Sequence, residues 1–233
     1  MKGPGNGYGI ACFLPSGTAG LAVVAILVML FLSCASPSVY SIDPHYLPSA
    51  EKEQVSRGAT LTLALFNDGR QLDDDIILGR VIGRDGRVTP VLPRHREPQQ
   101  AVLQALSACL TLSGHRVTAR HPRWDLGEES IDRAWGRILI GGTINELFVE
   151  YDRSKPLHSS SARVNLTLVL ADVEKKRILH RVTVETASQI EYLRFSETRI
   201  EEQLSNALSE ALEKAFAESE VMNIIASING EGR

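Results

Sequence analysis

The stretch that decides the fold is ARVNLTLVLADVEKKRILHRVTVET, residues 162–186. Apolar residues alternate with polar ones on both sides of a turn around Glu174 to Lys176, which is the period of strands with one buried face. The buried faces predicted from this alternation are Val164, Leu166, Leu168 and Leu170 in the first strand and Ile178, Val182 and Val184 in the second. The stretch therefore predicts an antiparallel hairpin whose apolar face must be covered.

Two helical segments can supply that cover. EPQQAVLQALSACLTLSG, residues 97–114, has Pro98 suited to a first turn and Gly114 just past the end. A second helix is predicted from about Glu197 to about Ala217, with Ser196 as N-cap and Phe195 and Ile200 as a hydrophobic staple. Its apolar stripe consists of Ile200, Leu204, Ala207, Leu208, Ala211, Leu212, Ala215 and Phe216.

The remaining strands are predicted from shorter apolar runs: ATLTLALF (59–66), a hairpin in IILGRVIGRDGRVTPVLP (76–93), HRVTA (115–119) and RILIGGTINELFVEY (137–151). Gly141 and Gly142 in the last run indicate a bulge or a close backbone approach. The order of elements predicts an α+β fold, with an antiparallel sheet of about five strands and two main helices packed on one face.

The N-terminal stretch LAVVAILVMLFLSCASPS, residues 21–38, predicts where the protein works. Twelve consecutive apolar residues, Leu21 to Leu32, are short for a membrane span and typical of a secretory signal that begins with Lys2. The run ends at Ser33-Cys34, which resembles the lipobox of bacterial lipoproteins, although Phe31 and Leu32 depart from its usual residues. Cys34 is therefore predicted to be lipidated; an uncleaved N-terminal anchor and a soluble exported protein are the alternatives.

This interpretation divides the chain into a signal peptide (1–33), a lipidated tether (34–54), one α+β domain (55–226) and a flexible tail (227–233). Cys12 would be removed and Cys34 acylated, so Cys109 alone would remain and no intramolecular disulfide could form. Several acyl chains would make membrane attachment permanent. The lipobox resemblance, with Ala35 after the cysteine, implies palmitate-type acylation and sorting to the outer membrane.

The composition argues against nucleic acid as a partner. The chain has 23% charged residues, a formal net charge of -3 and 6% aromatic residues, so it lacks a basic footprint.

No residue pattern predicts a catalytic, metal or cofactor site. Asp73, Asp74 and Asp75 are consecutive, whereas a calcium loop spaces its ligands. The histidines at positions 95, 115, 121, 158 and 180, five of the six in the chain, lack zinc-site spacing, and His180 is in phase with Ile178 and Val182. Cys109 lies on the apolar face of the first helix, where a thiol fills the core. The basic residues Arg94, His95 and Arg96 and the run from Arg116 to Arg123 are predicted to be a solvated rim, with anionic headgroups as the alternative partner.

The arrangement of these segments resembles the YajG-type bacterial lipoproteins and, more distantly, the auxiliary lipoproteins of ABC transporters. The resemblance rests on the leader ending at a cysteine, ILGRVIGRDGRVTPVLP, the helix EPQQAVLQALSACLTLSGHRV, GRILIGGTINELFVEYD, VNLTLVLAD and the final Ala/Leu/Glu-rich helix. It implies an envelope location, facing the periplasm, and this fold, but no defined reaction.

We therefore expect a non-catalytic envelope lipoprotein that docks to or assists an envelope protein assembly. The alternative is a module that binds a lipid or other apolar ligand in a cavity between helices and sheet, possibly auxiliary to lipid transport. Docking is expected at an edge strand, with Thr60 to Phe66 or Arg116 to Ala119 as candidates.

Overall fold

The structure, a computed structural model, describes residues 39–49, 58–72 and 74–230, and it describes side chains as far as residue 227. The strands are β1 (Tyr40–Ile42), β2 (Thr60–Leu63), β3 (Asn67–Asp68), β4 (Gly79–Ile82), β5 (Val88–Pro93), β6 (Arg116–Val117), β7 (Ile138–Asp152), β8 (His158–Asp172) and β9 (Arg177–Tyr192). The helices are α1 (Pro98–Leu112), α2 (Glu197–Ala217) and α3 (Ser219–Gly230), and a short 3-10 turn covers Arg133–Trp135.

Strand β7 organises the sheet because it pairs along both of its edges. On one edge three short strands follow one another, all parallel to it: β2 at Ile138, β3 at Thr143 and β4 at Val149. On the other edge β8 runs antiparallel from Ile138 to Asp152. Every remaining strand reaches the sheet through one of these neighbours of β7.

The expected antiparallel sheet of about five strands is wrong in both number and direction. The described residues form nine strands in one mixed sheet, in which β6 extends β2 in parallel and β5 extends β4 antiparallel. The parallel pairs join segments that are distant in sequence, and local periodicity carries no information on such pairing. The α+β class itself is confirmed.

The hairpin predicted from residues 162–186 is present as β8 and β9, which pair from His158–Tyr192 to Asp172–Arg177. One prediction within it is wrong. The register shifts between Leu170 and Ala171, so Leu179 packs toward the helices and Ile178 turns to the opposite face. A single inserted residue reverses the facing of everything beyond it, since side chains alternate with period two.

At Gly141 and Gly142 of β7, neighbouring segments approach the backbone closely, as predicted. The bulge lies a few residues after these glycines. A Cβ atom on Gly142 would stand 2.2 Å from the Thr167 carbonyl oxygen, and one on Gly141 would stand 2.8 Å from the Trp124 ring. The register of β7 against β8 shifts at Asn145, between Ile144 and Glu146.

Helices α1 and α2 share one face of the sheet, as predicted. α2 runs over the predicted residues with Ser196 at the N-cap position, although the Ser196 side chain makes no capping hydrogen bond. The core between helices and sheet includes fully buried leucines from every layer, among them Leu61, Leu106, Leu168 and Leu208. The opposite face carries a smaller cluster, in which Trp124 and Ile131 cover Leu139 and Val169.

The tether predicted for residues 34–54 does not hold for residues 39–49, which belong to the domain. Tyr40 and Ile42 are buried in β1, which pairs with β5. The chain then follows α2 through hydrogen bonds from the Leu47 amide to Ser209 Oγ (2.8 Å) and from the Tyr46 hydroxyl to Glu213 (2.6 Å). The many prolines and serines of this segment hid its pairing. A further helix, α3, was not predicted, and it extends into residues 227–230 of the predicted tail.

Leu208→Asp tests the central position of α2. The Leu208 side chain is fully buried, and an unpaired carboxylate there should cost several kcal/mol of unfolding free energy, an amount comparable with the whole reserve of a domain. Thermal and urea unfolding of this variant should show a large loss or failure to fold. Asn206→Asp is the matched control because Asn206 is exposed on the same helix; equal stability of both variants would contradict the packing described.

Candidate functional site

Cys34, the predicted lipidation site, lies outside the described residues and remains a prediction. Within the described ranges, no helix combines the length and apolar character needed to cross a bilayer.

The cysteine and the aspartates considered above hold structural positions. Cys109 is buried in α1 against the core, as predicted. Asp74 accepts a hydrogen bond from the Ile76 amide (3.1 Å), and the Asp75 backbone oxygen accepts one from the Arg70 guanidinium. Asp73 lies outside the described residues. The two described aspartates therefore shape a loop, and they do not converge on a shared point.

Two of the histidines are neutral structural groups. Burial lowers the pKa of His115, and its Nδ1 accepts the Ala59 amide proton at 3.2 Å, which requires an unprotonated nitrogen. Burial also lowers the pKa of His158, whose Nδ1 lies 3.4 Å from the Tyr151 hydroxyl. The Nε2 atom of His158 is buried without a hydrogen-bond partner among the described residues.

His180 differs from the satisfied histidine predicted for it. Its two ring nitrogens each lie 3.5 Å from a carboxylate oxygen, Nε2 from Glu218 and Nδ1 from Glu220. One atom from each of the three side chains lies within 4.8 Å of the others, so the group could hold a divalent cation. Sequence spacing could not reveal this group, because β9 and the start of α3 meet only in the fold.

The basic residues on either side of α1 do not gather into one patch. Arg96 pairs with Asp43 at 2.8 Å, and Arg94 lies 3.4 Å from Glu201. These two arginines precede α1 whereas the run from Arg116 follows it, and a helix of 15 residues separates its ends by about 22 Å. The first group is ion-paired at the N-terminal end of α1, so a shared headgroup site on these two segments is not supported.

The space between helices and sheet, where an apolar ligand would have to bind, is filled by the core side chains described above. Two cavities lined by described residues lie elsewhere. One of about 600 Å³ adjoins β2 and β6 near His115, and one of about 580 Å³ lies over the face of the sheet opposite the helices.

The second cavity is lined by charged groups that are already paired. The guanidinium groups of Arg80 and Arg163 flank the Phe148 ring at 6.0 and 5.9 Å from its centroid. Arg80 pairs with Glu150 at 2.5 Å and Arg163 with Glu146 at 2.6 Å. Because each cation has a carboxylate partner, this cavity offers an anion little uncompensated positive charge.

Among the described strands, the longest backbone edge without a partner strand is the outer edge of β9. This strand has 16 residues and, within the described part of the chain, pairs only with β8. Near its start the outer side is covered, since the Ile178 amide donates to Glu128 (2.7 Å) and Arg181 donates to the Leu126 carbonyl (3.0 Å). From Thr183 onward no described strand covers it, and the side chains of Thr183, Glu185, Ala187, Gln189 and Glu191 are exposed. We call residues 183–191 the β9 edge.

Of the two segments predicted to form the sheet edge, one is interior and the other is an edge but short. The segment from Thr60 to Phe66 lies between β7 and β6, and the Leu65 amide is bonded to the Pro122 carbonyl at 2.9 Å. β6, from Arg116, is an edge as expected, but it has only two residues. Alternating polar residues in β9 indicate which face of the strand meets solvent but not whether its edge is paired, so the sequence carried no signal for the open side.

Comparisons with known proteins give similarity in structure only. No family model matches the chain, and no curated protein matches its sequence. Among solved structures, a Xanthomonas campestris protein of the DUF330 family is 13% identical and aligns with a TM-score of 0.49 over 81% of this chain and 98% of its own.

Two further solved structures are similar at lower scores. Lipoprotein GNA1162 from Neisseria meningitidis is 11% identical, with a TM-score of 0.38 over 69% of this chain and 99% of its own. The PelC dodecamer from Paraburkholderia phytofirmans is 12% identical, with a TM-score of 0.37 over 69% of this chain and 92% of its own chain. The neighbours thus include a bacterial lipoprotein, but at these scores they carry no conclusion about the activity of this chain, and the resemblance to YajG-type lipoproteins remains a prediction.

Proposed function

We propose that the protein is a non-catalytic lipoprotein of the bacterial envelope, anchored through Cys34 and facing the periplasm, that docks an extended segment of a partner protein on the β9 edge. The observation that carries the proposal is the open outer side of β9 beyond Thr183. An exposed sheet edge presents unpaired N–H and C=O groups, which a partner strand can satisfy by adding to the sheet.

The anchor is supported by the leader and by the start of the fold. The apolar run stops at Cys34, and the first described strand begins at Tyr40, soon after it. A domain attached at that point by several acyl chains would stay on the membrane surface and meet partners there.

The surroundings of the β9 edge suit an added strand. Thr183, Ala187 and Gln189 have small or neutral side chains. Gln189 donates to Ser159 across the strand pair at 3.3 Å, and Thr183 lies 3.0 Å from Thr167 through their hydroxyl oxygens. Natural proteins commonly protect open edges with charged residues, especially lysines, or with prolines; residues 183–191 contain neither Lys nor Pro, and their charged residues are Glu185 and Glu191.

Binding of a lipid or apolar ligand is the less supported function. The helix–sheet interface that would have to enclose it is closed by buried side chains such as Leu166, Leu204 and Leu212.

Cys34→Ser tests the anchor. The wild-type protein should incorporate labelled fatty acid in cells and sediment with the envelope, whereas the variant should accumulate as an unlabelled, uncleaved precursor. Cys12→Ser is the matched control, since it removes a cysteine from the predicted leader and should change neither result. Equal fatty-acid labelling of the Cys34 variant and the wild type would contradict the anchor.

Lysine at Ala187 and Gln189 tests the β9 edge. Both side chains are exposed, so the double variant Ala187→Lys/Gln189→Lys should fold normally, while the added charges oppose pairing of another strand. Pulldown from solubilised envelopes should recover a stoichiometric protein with the parent and lose it, at least tenfold, with this variant.

Ser161→Lys is the control for that experiment, because Ser161 pairs with Gln189 but lies one strand inside the edge. Unchanged recovery with Ser161→Lys supports docking at the edge. Equal loss with both variants would place docking on the sheet face, and co-purified lipid without a protein would favour the apolar-ligand function.

A further inference from the structure

The chain enters the domain at one identifiable end of the sheet. Backbone geometry allows at most about 3.5 Å per residue, so the six residues from Cys34 to Tyr40 can span no more than about 21 Å. A lipid on Cys34 would therefore hold Tyr40 close to the bilayer. The long tether expected from the sequence is not available, because residues 40–42 already form β1.

Contacts of Tyr40 show which end this is. Its ring centroid lies 5.0 Å from that of Phe195, which follows β9, and its hydroxyl lies 3.4 Å from Arg153, which follows β7. Strand register brings other segments to the same end: Ile82 pairs with both Val88 and Asp152, and His158 pairs with Tyr192. We call residues 39–40, 83–88, 152–158 and 190–199 the tether end.

Exposed apolar side chains are concentrated there. Eight large hydrophobic side chains are exposed among the described residues, and five of them belong to the tether end: Val39, Val88, Leu157, Ile190 and Leu193. Leu193 is 81% exposed, the highest value of the eight, and Leu157 is 41% exposed. Leu157 directly precedes His158 and Leu193 directly follows Tyr192, so both lie just beyond the last residue pair at this end of the β8–β9 hairpin. Grouping of exposed apolar residues marks an interaction surface.

Basic groups surround these side chains. The tether end carries six basic residues (Arg84, Arg87, Arg153, Lys155, Arg194 and Arg199) against four acidic ones (Asp85, Asp152, Glu191 and Glu197), whereas the whole chain has a net charge of -3. Arg153 lies over the Phe195 ring at 4.5 Å and Arg199 over the Tyr192 ring at 4.8 Å. Aromatic rings, long basic side chains and exposed leucines are the composition of surfaces that sit in a membrane interface.

We propose that the tether end rests on the bilayer, with Leu157 and Leu193 in the headgroup region and the surrounding arginines on anionic lipid phosphates. The proposal rests on the lipidation of Cys34 and deepens the proposed function by giving the domain an orientation. We favour a bilayer over a protein as the partner of this surface. The short connection to a lipidated Cys34 would keep the tether end next to the membrane, whether or not a protein partner is bound elsewhere.

The orientation has a consequence for the β9 edge. β9 ends at the tether end with Tyr192 and extends away from it for 16 residues, about 50 Å at the rise of a strand. The β9 edge, residues 183–191, is the half of the strand next to the tether end, so a partner in the periplasm would reach it from the side, close to the membrane.

A fluorescent probe at Leu193 tests the orientation. Full-length lipidated protein carrying Leu193→Cys, labelled with an environment-sensitive dye, would be reconstituted into vesicles containing phosphatidylglycerol. Leu157→Cys is a second position, and Leu112→Cys is the control because Leu112 is 47% exposed at the end of α1, outside the tether end. We expect blue-shifted emission and at least threefold weaker quenching by iodide at 193 and 157 than at 112.

Equal quenching at 193 and 112 in vesicles would overturn the orientation. Protection of position 193 that appears only when an envelope protein is added, and not in vesicles alone, would also overturn it and make the tether end a protein-docking surface. Fatty-acid labelling of the same preparation separates the two proposals: a labelled protein with an exposed position 193 refutes the orientation alone, and an unlabelled protein refutes the anchor.

Discussion

The fold depends on the pairing of β7 along both of its edges. Three short parallel strands, β2, β3 and β4, occupy one edge, and β8 occupies the other over almost the whole length of the strand. Close passage of β8 requires the absence of a side chain at Gly142, where a Cβ atom would meet the Thr167 carbonyl oxygen. Because both edges of β7 are paired, a free edge of the sheet can lie only on strands farther out than β7. Among the described strands, growth of the sheet therefore ends at β6, β3, β1 and β9.

Of these four, β9 has 16 residues, whereas β6 and β3 have two each and β1 has three. The α1 and α2 helices cover one face of the sheet and the residues around Trp124 cover part of the other. No described strand covers the outer side of β9 beyond Thr183. The same architecture brings several segments close to Tyr40, where the described domain begins. These segments are the ends of β7 and β9, the start of β8 and the turn between β4 and β5. The proposed docking edge and the proposed membrane-facing end are thus two consequences of one sheet topology.

Local patterns predicted what local interactions determine. Alternation in residues 162–186 gave the β8–β9 hairpin, the apolar stripe from Ile200 gave α2, and Pro98 with Gly114 gave α1. Parallel pairing of β7 with β2, β3 and β4 could not be predicted, since it joins segments that share no turn. The sheet face on which Ile178 lies was predicted wrongly because the register shifts next to Ala171. The three residues of β1 were assigned to the tether because they lie among prolines and serines. For the site, Cys34 came from the sequence alone, whereas the β9 edge and the His180–Glu218–Glu220 group exist only where distant segments meet.

Residue-resolved amide hydrogen exchange tests most directly whether the outer side of β9 is open. Because β7 is paired along both of its edges, its amides should be strongly protected from exchange. In the isolated protein, amides of residues 183–191 that face away from β8 should exchange at least a hundredfold faster than these, while the alternating amides that face β8 stay protected. Uniform protection of all β9 amides at the level of β7 would show that another element covers this edge, and it would contradict the account given for both the fold and the function.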